Sequence, residues 1–200
     1  MQRPSFLIGA ALLLTSLPAA AADLSAVPSG AYAEDDQHAY VIFSYTHLGF
    51  SSPQVRFDDF EVTLELDSED PEASRIDVGI DVSSVDSGVE VFDGHLMGGD
   101  YFDLANHPRI TFESTAIEKT GENSYDVTGD LTIRGRTQPV TLATTINGAG
   151  EHPLKEIPAV GISATGTLLR SEWGLDQYVP AVSDEVTLTI EVEMLLAGGQ

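Results

Sequence analysis

Five histidines are the side chains of this sequence best suited to bind a metal ion: His38, His47, His95, His107 and His152. A zinc site needs three or four converging ligands, and no two of these histidines have the spacing that places both on one helix face. The cysteine count of 0 removes thiolate ligands. We therefore expect the histidines to form hydrogen bonds at turns, and we predict no metal and no cofactor. A site that joins His38, His95 and His107 across neighbouring strands is the alternative.

Asp93 and His95 form the pair with the most catalytic potential, because a carboxylate and an imidazole together can transfer protons. The sequence lacks the Gly-x-Ser-x-Gly turn that carries the nucleophile of many serine hydrolases. Gly94, Gly98 and Gly99 are not followed by the lysine of a phosphate-binding loop. We therefore predict no catalytic residues, and we expect Asp93 and His95 to hold a capping segment in place.

The charge of the chain restricts its partners. There are 9 Lys+Arg residues against 32 Asp+Glu residues, which gives a formal net charge of −23. Such a surface repels phosphate groups, which argues against nucleic acid and against an anionic membrane surface. Salt screens this self-repulsion, so a saline habitat is one interpretation and an ordinary acidic secreted protein is the other.

The N-terminal residues resemble a secretory signal peptide in composition. Arg3 supplies a positive charge, residues 6–17 are apolar, and the small residues up to Ala22 suit a signal peptidase. An uncleaved anchor is the alternative, but the apolar run is shorter than the roughly 20 residues that span a bilayer. We predict a signal peptide over 1–22, a surface lead-in over 23–37 and a single domain over 38–196.

Alternating apolar and polar residues predict half-buried strands through most of this domain. The alternation is clearest over 76–83 and 125–134. The run over 54–66 changes phase near Asp58 and Asp59, where we expect a bulge. Similar runs occur at 39–48, 110–116, 140–146, 160–168 and 186–194. These patterns predict an all-β domain of about eight antiparallel strands closed into a barrel, with a two-sheet sandwich as the alternative.

One segment, residues 92–114, interrupts this alternation. It mixes large apolar residues with Gly98, Gly99 and several aspartates, which does not fit a regular strand. The residues around its start, 87–96, are expected to form one or two short helical turns. We predict that this short helical and loop insertion caps one end of the barrel.

The predicted inward positions indicate a hollow barrel. A barrel of about eight strands is either filled by its own side chains or holds one ligand. Several predicted inward positions carry residues too small to fill the middle: Ser44, Ser114, Ala116, Gly129, Ala164 and Gly166. We therefore expect an apolar cavity large enough for a ligand.

The side chains expected to contact that ligand come from several predicted strands and loops. The wall is predicted to contain Phe43, Phe57, Phe60, Val78, Ile80, Phe112, Leu131, Ile162 and Leu188. We place Phe92, Leu96, Phe102 and Trp173 near the ends of the cavity. Arg170 is the candidate contact for a polar group of the ligand, and pairing with surface carboxylates is the alternative use of its guanidinium.

Four ordered segments of the sequence resemble the YceI-like family. The first is HAYVIF at 38–43 with THLG at 46–49, and the second joins DGHL at 93–96, YFD at 101–103 and ITFES at 110–114. The third and fourth are VTGDLTIRG at 127–135 and RSEWGL at 170–175. The resemblance covers most of the chain after the signal peptide. It departs from the family pattern at Phe92, where the family usually has arginine, and at Tyr101, where it usually has phenylalanine.

This resemblance implies an extended lipocalin-like antiparallel barrel in the periplasm that binds a polyisoprenoid or quinone-like lipid. The loss of arginine at Phe92 removes a charge near the predicted mouth and bears on which head group is accepted. We therefore predict a non-catalytic periplasmic protein that sequesters or carries such a lipid. The alternatives are a hydrolase or isomerase acting on an isoprenoid lipid, and a solid-cored stress-related interaction module. The sequence leaves a homodimer open.

Overall fold

A computed structural model describes residues 22–198 of this 200-residue chain. The predicted signal peptide over 1–22 lies almost wholly outside these residues, so its cleavage stays a prediction. Within the described part, the backbone forms ten strands and one α-helix. None of the helices within 22–198 has the length and apolar character needed to cross a membrane.

The elements follow one another along the chain with short connections. The strands are β1 (Gly30–His47), β2 (Gln54–Phe57), β3 (Phe60–Leu66), β4 (Arg75–Asp81), β5 (Val85–Asp86), β6 (Arg109–Lys119), β7 (Ser124–Ile133), β8 (Arg136–Glu151), β9 (Pro158–Leu169) and β10 (Val182–Leu196). The α-helix α1 is Glu90–Leu96, and 3-10 helices occupy Leu24–Ala26, Pro71–Ala73, Val82–Ser84 and Arg170–Trp173.

Eight of these strands form a closed antiparallel ring. Their order is β10-β9-β8-β7-β6-β4-β3-β1, and β1 pairs with β10 to close it. The two short strands β2 and β5 extend one end, where β2 pairs with β1 and β5 pairs with β2. The predicted all-β, eight-stranded barrel is therefore confirmed, and the two-sheet sandwich is wrong.

The strands follow the alternation of the sequence, because each buries one face inside the barrel. In β7, Tyr125, Val127, Leu131 and Ile133 are all buried. The phase change predicted near Asp58 is a break between β2 and β3, which pair with different parts of β1. The break keeps Phe57 of β2 and Val62 and Leu64 of β3 on the inner face.

The predicted surface lead-in over 23–37 is wrong for most of its length. The strand expected to begin at Ala39 begins at Gly30, and Gly30 to Ala33 pair with β3. Tyr32 is fully buried, and Leu24 and Val27 are buried beside it. These residues close the barrel end opposite the α-helix. The early part of β1 escaped detection because its register against β10 shifts between Glu34 and Ala39, which interrupts the alternation.

The small residues occupy different positions from those predicted. Ser44 lies between Phe43 and Tyr45, which both face the cavity, so its own side chain faces outward. Ala116 is exposed because the register of β6 against β7 shifts between Ser114 and Ala116. Ser114 is half-buried, and its Oγ accepts a hydrogen bond from the Ile76 backbone N–H at 2.8 Å.

The two inward glycines make room for their neighbours. A Cβ at Gly129 would collide with the Phe112 ring, and a Cβ at Gly166 would lie 2.6 Å from Leu142 Cδ2. Ala164 is the predicted small residue that lines open space. The glycines therefore let large side chains lie flat against the wall, and the space at the centre stays free.

Candidate ligand cavity

The interior of the barrel is a cavity of about 610 Å³. This volume falls within the range of about 300 to 1,000 Å³ that is usual for ligand pockets. Its wall is almost entirely apolar and is built from inward residues of the ring strands. The deepest wall residues are Val62, Leu64, Ile162, Val192 and Met194. The prediction of a hollow barrel is confirmed, and the solid-cored alternative is wrong for residues 22–198.

The cavity opens at one end only, as the exposure of its wall residues shows. The exposed wall residues are His47, Val89, His95, Gln177 and Tyr178. All five belong to loops, strand ends or α1 at the end of the barrel where β1 ends and β10 begins. Deep wall residues are buried, and the most deeply buried has a relative exposure of 0%. We call the open end the mouth.

All but two of the fourteen predicted contact residues line this cavity. They are Phe43, Phe57, Val78, Ile80, Phe92, Leu96, Phe102, Phe112, Leu131, Ile162, Arg170 and Leu188. The two exceptions are Phe60, which was predicted in the wall, and Trp173, which was predicted near an end of the cavity; neither of them lines it. A role in binding for the twelve stays a prediction.

Phe60 and Trp173 are displaced for local reasons. Phe60 directly follows the break between β2 and β3, and it lines a separate depression with Glu34 and Asp58. Trp173 is 1% exposed, and its Nε1 donates to the Leu131 backbone oxygen at 3.1 Å. It therefore fastens the loop after β9 to β7 from behind the cavity wall.

The predicted cap forms part of the cavity wall through an aromatic cluster. The Phe102 ring lies 5.6 Å from the Phe57 ring and 6.1 Å from the Phe43 ring, both in edge-to-face arrangements. The Phe43 and Phe57 rings are 5.7 Å apart. Such contacts contribute about 0.5 to 1.5 kcal/mol per pair beyond their buried area. The cap is thus packed onto the barrel strands next to the mouth.

Asp93 fixes the segment that leads into the cap. Its carboxylate accepts a hydrogen bond from the Ser87 backbone N–H at 2.8 Å and another from the Ser87 hydroxyl. This matches the predicted pinning role of Asp93. His95 lies two residues further along α1 and lines the cavity. The carboxylate of Asp93 is therefore engaged with the backbone.

Arg170 is a buried cation at the mouth, with 8% of its surface exposed. Its Nε donates to Ser183 O at 2.8 Å, and its Nη1 donates to Leu175 O. Its Nη2 donates to Gln177 O at 2.9 Å and to Val182 O at 3.1 Å. The guanidinium thus binds the loop between β9 and β10 to the start of β10. All of these hydrogen bonds go to backbone oxygens, whereas the alternative was pairing with surface carboxylates. Unlike Arg170, Arg109 pairs with Glu61 at the surface, at 2.9 Å.

Three tyrosines near Arg170 were missed by the sequence reasoning. Tyr45, Tyr101 and Tyr178 all line the cavity near the mouth. Burial raises the pKa of both Tyr45 and Tyr101, and each is raised further by a neighbouring phenol, while Arg170 opposes the shift. Their hydroxyls therefore stay protonated and can donate hydrogen bonds. The sequence did offer one signal for these contacts, since the three tyrosines lie in or beside segments predicted to flank the mouth.

The histidines predicted as a possible metal site are far apart. His38 lies at the closed end, whereas His95 lines the cavity near the mouth and His107 packs beside the β7–β8 turn at Gly135. The alternative of a site built from these three is therefore wrong. His38 instead comes close to Asp35 and Glu193, whose potential ligand atoms lie within 4.8 Å of one another.

The Asp35 carboxylate is already balanced by nearby protein groups. It is 5% exposed, lies 2.7 Å from Lys155 Nζ and accepts a hydrogen bond at 2.9 Å from His38 Nδ1. Burial alone would raise the pKa of Asp35, but the bonds from Lys155 and His38 outweigh it and lower that pKa to about 2. The cluster ties the irregular part of β1 to the β8–β9 loop.

The depressed pKa of Asp35 predicts acid sensitivity. A carboxyl whose pKa is lower in the folded than in the unfolded protein stabilises the fold above the unfolded pKa, and this contribution is lost as pH falls. Between about pH 4 and pH 2, the wild type should lose on the order of 1 to 2 kcal/mol more than Asp35→Asn. Urea denaturation across this range measures the difference. Asp36→Asn, at an exposed neighbour, should keep the wild-type slope, and equal slopes in all three proteins would contradict the assignment.

Comparison with known proteins identifies the same domain. The family model of the YceI-like domain matches residues 32–194. A UPF0312 protein of Azotobacter vinelandii is 36% identical over 160 residues, which cover 80% of this chain and 83% of that protein. A UPF0312 protein of Pseudomonas putida strain W619 is 39% identical over 160 residues, covering 80% and 82% respectively.

Solved structures show the same fold. BcnA of Burkholderia cenocepacia matches with a TM-score of 0.72 at 26% identity, covering 80% of this chain and 98% of BcnA. A polyisoprenoid binding domain from Saccharophagus degradans matches with a TM-score of 0.64 over 84% of this chain and 99% of that domain, and at 14% identity it shows the fold alone. The match to the family model includes residues of all eight ring strands, and the chain belongs to the YceI-like family.

Proposed function

We propose that this protein is a non-catalytic periplasmic binding protein that sequesters or carries a polyisoprenoid lipid, either a prenyl chain or a quinone-like molecule. The observation that carries the proposal is the deep apolar cavity with a single mouth. A long apolar chain fits such a space with its polar end at the opening. The Saccharophagus degradans domain is described as polyisoprenoid binding, so a barrel of this fold serves that ligand elsewhere.

The energetics favour a long hydrocarbon chain over a small polar ligand. Burying one methylene group contributes about 0.8 kcal/mol, so one five-carbon isoprene unit contributes roughly 4 kcal/mol before the cost of ordering the chain. Several units therefore provide tight binding without a strong polar contact. Selectivity then depends mainly on the length and shape of the chain.

The groups at the mouth suit a head group that accepts hydrogen bonds. The phenols of Tyr45 and Tyr101 are donors, and Arg170 adds a positive charge beside them. A quinone carbonyl or a hydroxyl oxygen fits these donors. Phe92, which stands where the family usually has arginine, lines the cavity as an apolar side chain.

The geometry does not favour catalysis, because the Asp93 carboxylate is hydrogen-bonded to Ser87 and is not the partner of His95.

Delipidated protein mixed with a long-chain prenol should form a one-to-one complex in native mass spectrometry, with the prenol recovered unchanged. His95→Ala should bind it equally well. A missing complex contradicts the binding proposal, and a new product that disappears in His95→Ala supports the hydrolase or isomerase alternative.

A further inference from the structure

Exposed apolar side chains cluster around the mouth of the cavity. We call them the apolar rim: Leu48, Phe50, Val89, Val91, Tyr178 and Val179. Phe50 is 91% exposed at the tip of the β1–β2 turn, and Val91 is 72% exposed at the start of α1. A large apolar side chain in water gains nothing for the stability of the fold. Several of them around one opening indicate a surface that contacts something apolar.

The apolar rim is continuous with the cavity. Val89 and Tyr178 belong to both, because they line the cavity and are also exposed. The Leu48 backbone N–H donates to Ala181 O at 3.0 Å, which joins the β1–β2 turn to the loop that carries Tyr178. An apolar molecule entering between these loops meets hydrocarbon at each step from the rim to the interior.

The charges around the rim restrict the surface it can meet. Glu90 and Asp176 are exposed within two residues of rim residues in the chain. Arginines lie at this end as well: Arg56 is paired with Asp58 and Asp86, and Arg134 donates to the backbone oxygens of Gly99 and Gly174. Both lysines of the sequence, Lys119 and Lys155, lie at the opposite end, at the end of β6 and in the β8–β9 loop. With a formal net charge of −23, the protein as a whole repels anionic head groups, and a lipid surface without net charge is the one it suits.

We propose that the apolar rim docks on a bilayer of zwitterionic lipid, with Phe50 inserted among the acyl chains. Docking would let a lipid pass between membrane and cavity without crossing water. This proposal rests on the proposed function, since only a lipid-binding cavity needs such a route. Docking adds a partner, the bilayer surface, and the apolar rim is the part of the protein that contacts it.

Vesicle flotation tests the docking. The wild type should bind phosphatidylcholine vesicles, and Phe50→Ser should bind them about tenfold or more weakly. Leu154→Ser is the matched control, because Leu154 is 88% exposed but lies at the closed end. It should bind like the wild type. Mixing in phosphatidylglycerol should weaken wild-type binding at low salt.

The proposal is overturned by no binding to phosphatidylcholine, by equal losses in Phe50→Ser and Leu154→Ser, or by binding that strengthens with phosphatidylglycerol. A wild-type dimer that Phe50→Ser converts to a monomer also overturns it, because a second copy then covers the rim. Mass spectrometry of lipid bound to Phe50→Ser separates this proposal from the function itself. Bound prenyl lipid in a variant that no longer floats supports both proposals.

Discussion

Replacing Arg170 with leucine should destabilise the protein by about 3 to 5 kcal/mol, because four backbone oxygens in the β9–β10 loop and at the start of β10 lose their donors. Most of the guanidinium is buried, so water replaces these bonds poorly. Urea denaturation followed by the fluorescence of Trp173, the only tryptophan, measures the change. Trp173 is a suitable reporter, since it packs in the same loop and is buried.

Arg109→Leu is the matched control for Arg170→Leu. Arg109 is 48% exposed and makes one surface ion pair with Glu61, so its loss should cost at most about 1 kcal/mol. Arg170→Lys should fall between the two, since lysine keeps the charge but not the planar fork of donors. Similar losses in Arg170→Leu and Arg109→Leu would show that the buried carbonyl contacts contribute little.

Replacing Ala164 with phenylalanine should abolish most lipid binding. Ala164 lines the cavity, and the added ring occupies space comparable to one isoprene unit. Losing the burial of such a unit costs about 3 to 4 kcal/mol, which is more than a hundredfold in affinity. The variant should remain folded, because the ring enters space that is already open. Titration of delipidated protein with a long-chain prenol, beside a thermal melt, measures both effects.

Ala143→Phe controls for the ring itself. Ala143 is exposed on β8, the strand next to Ala164, so the added ring there faces away from the cavity. Its prenol affinity should match that of the wild type. Wild-type affinity in Ala164→Phe would mean that the lipid does not reach this part of the barrel.

Much of the fold was predictable because its physical cause is local. A strand with one buried face must alternate, and the sequence over 76–83 and 125–134 does so without interruption. The break near Asp58 was predictable for the same reason, since Phe57 and Val62 reach one face only if the pairing shifts between them. The cap was visible as the place where the alternation fails.

Two of the errors in the fold share one cause, which is a shift in strand register. The shift between Glu34 and Ala39 hid the first half of β1, and the shift after Ser114 turned Ala116 outward. An irregularity of this kind depends on the partner strand, and a single sequence does not show the partner. Ser44 differs, because its strand carries apolar residues on both faces and the sequence gives no basis for choosing between them.

The cavity wall was more predictable than the mouth. Eight of the twelve predicted contacts that line the cavity lie on strands, where inward parity is enough to place them. The use of Arg170 depends on the carbonyl positions of a folded loop, which residue types do not reveal. Trp173 is behind the wall because its N–H has a backbone partner on β7. The tyrosines come together only when the cap and the loop after β9 meet at one opening.

The central claim is that the cavity holds an isoprenoid lipid, and the molecule that co-purifies with the protein tests it most directly. Wild-type protein purified from its native source should be extracted with organic solvent and analysed by mass spectrometry. We expect one prenyl lipid per protein molecule, and we expect it to be missing from Ala164→Phe but present in Ala143→Phe. Extracts without a prenyl lipid, or with equal amounts from both variants, would contradict the claim.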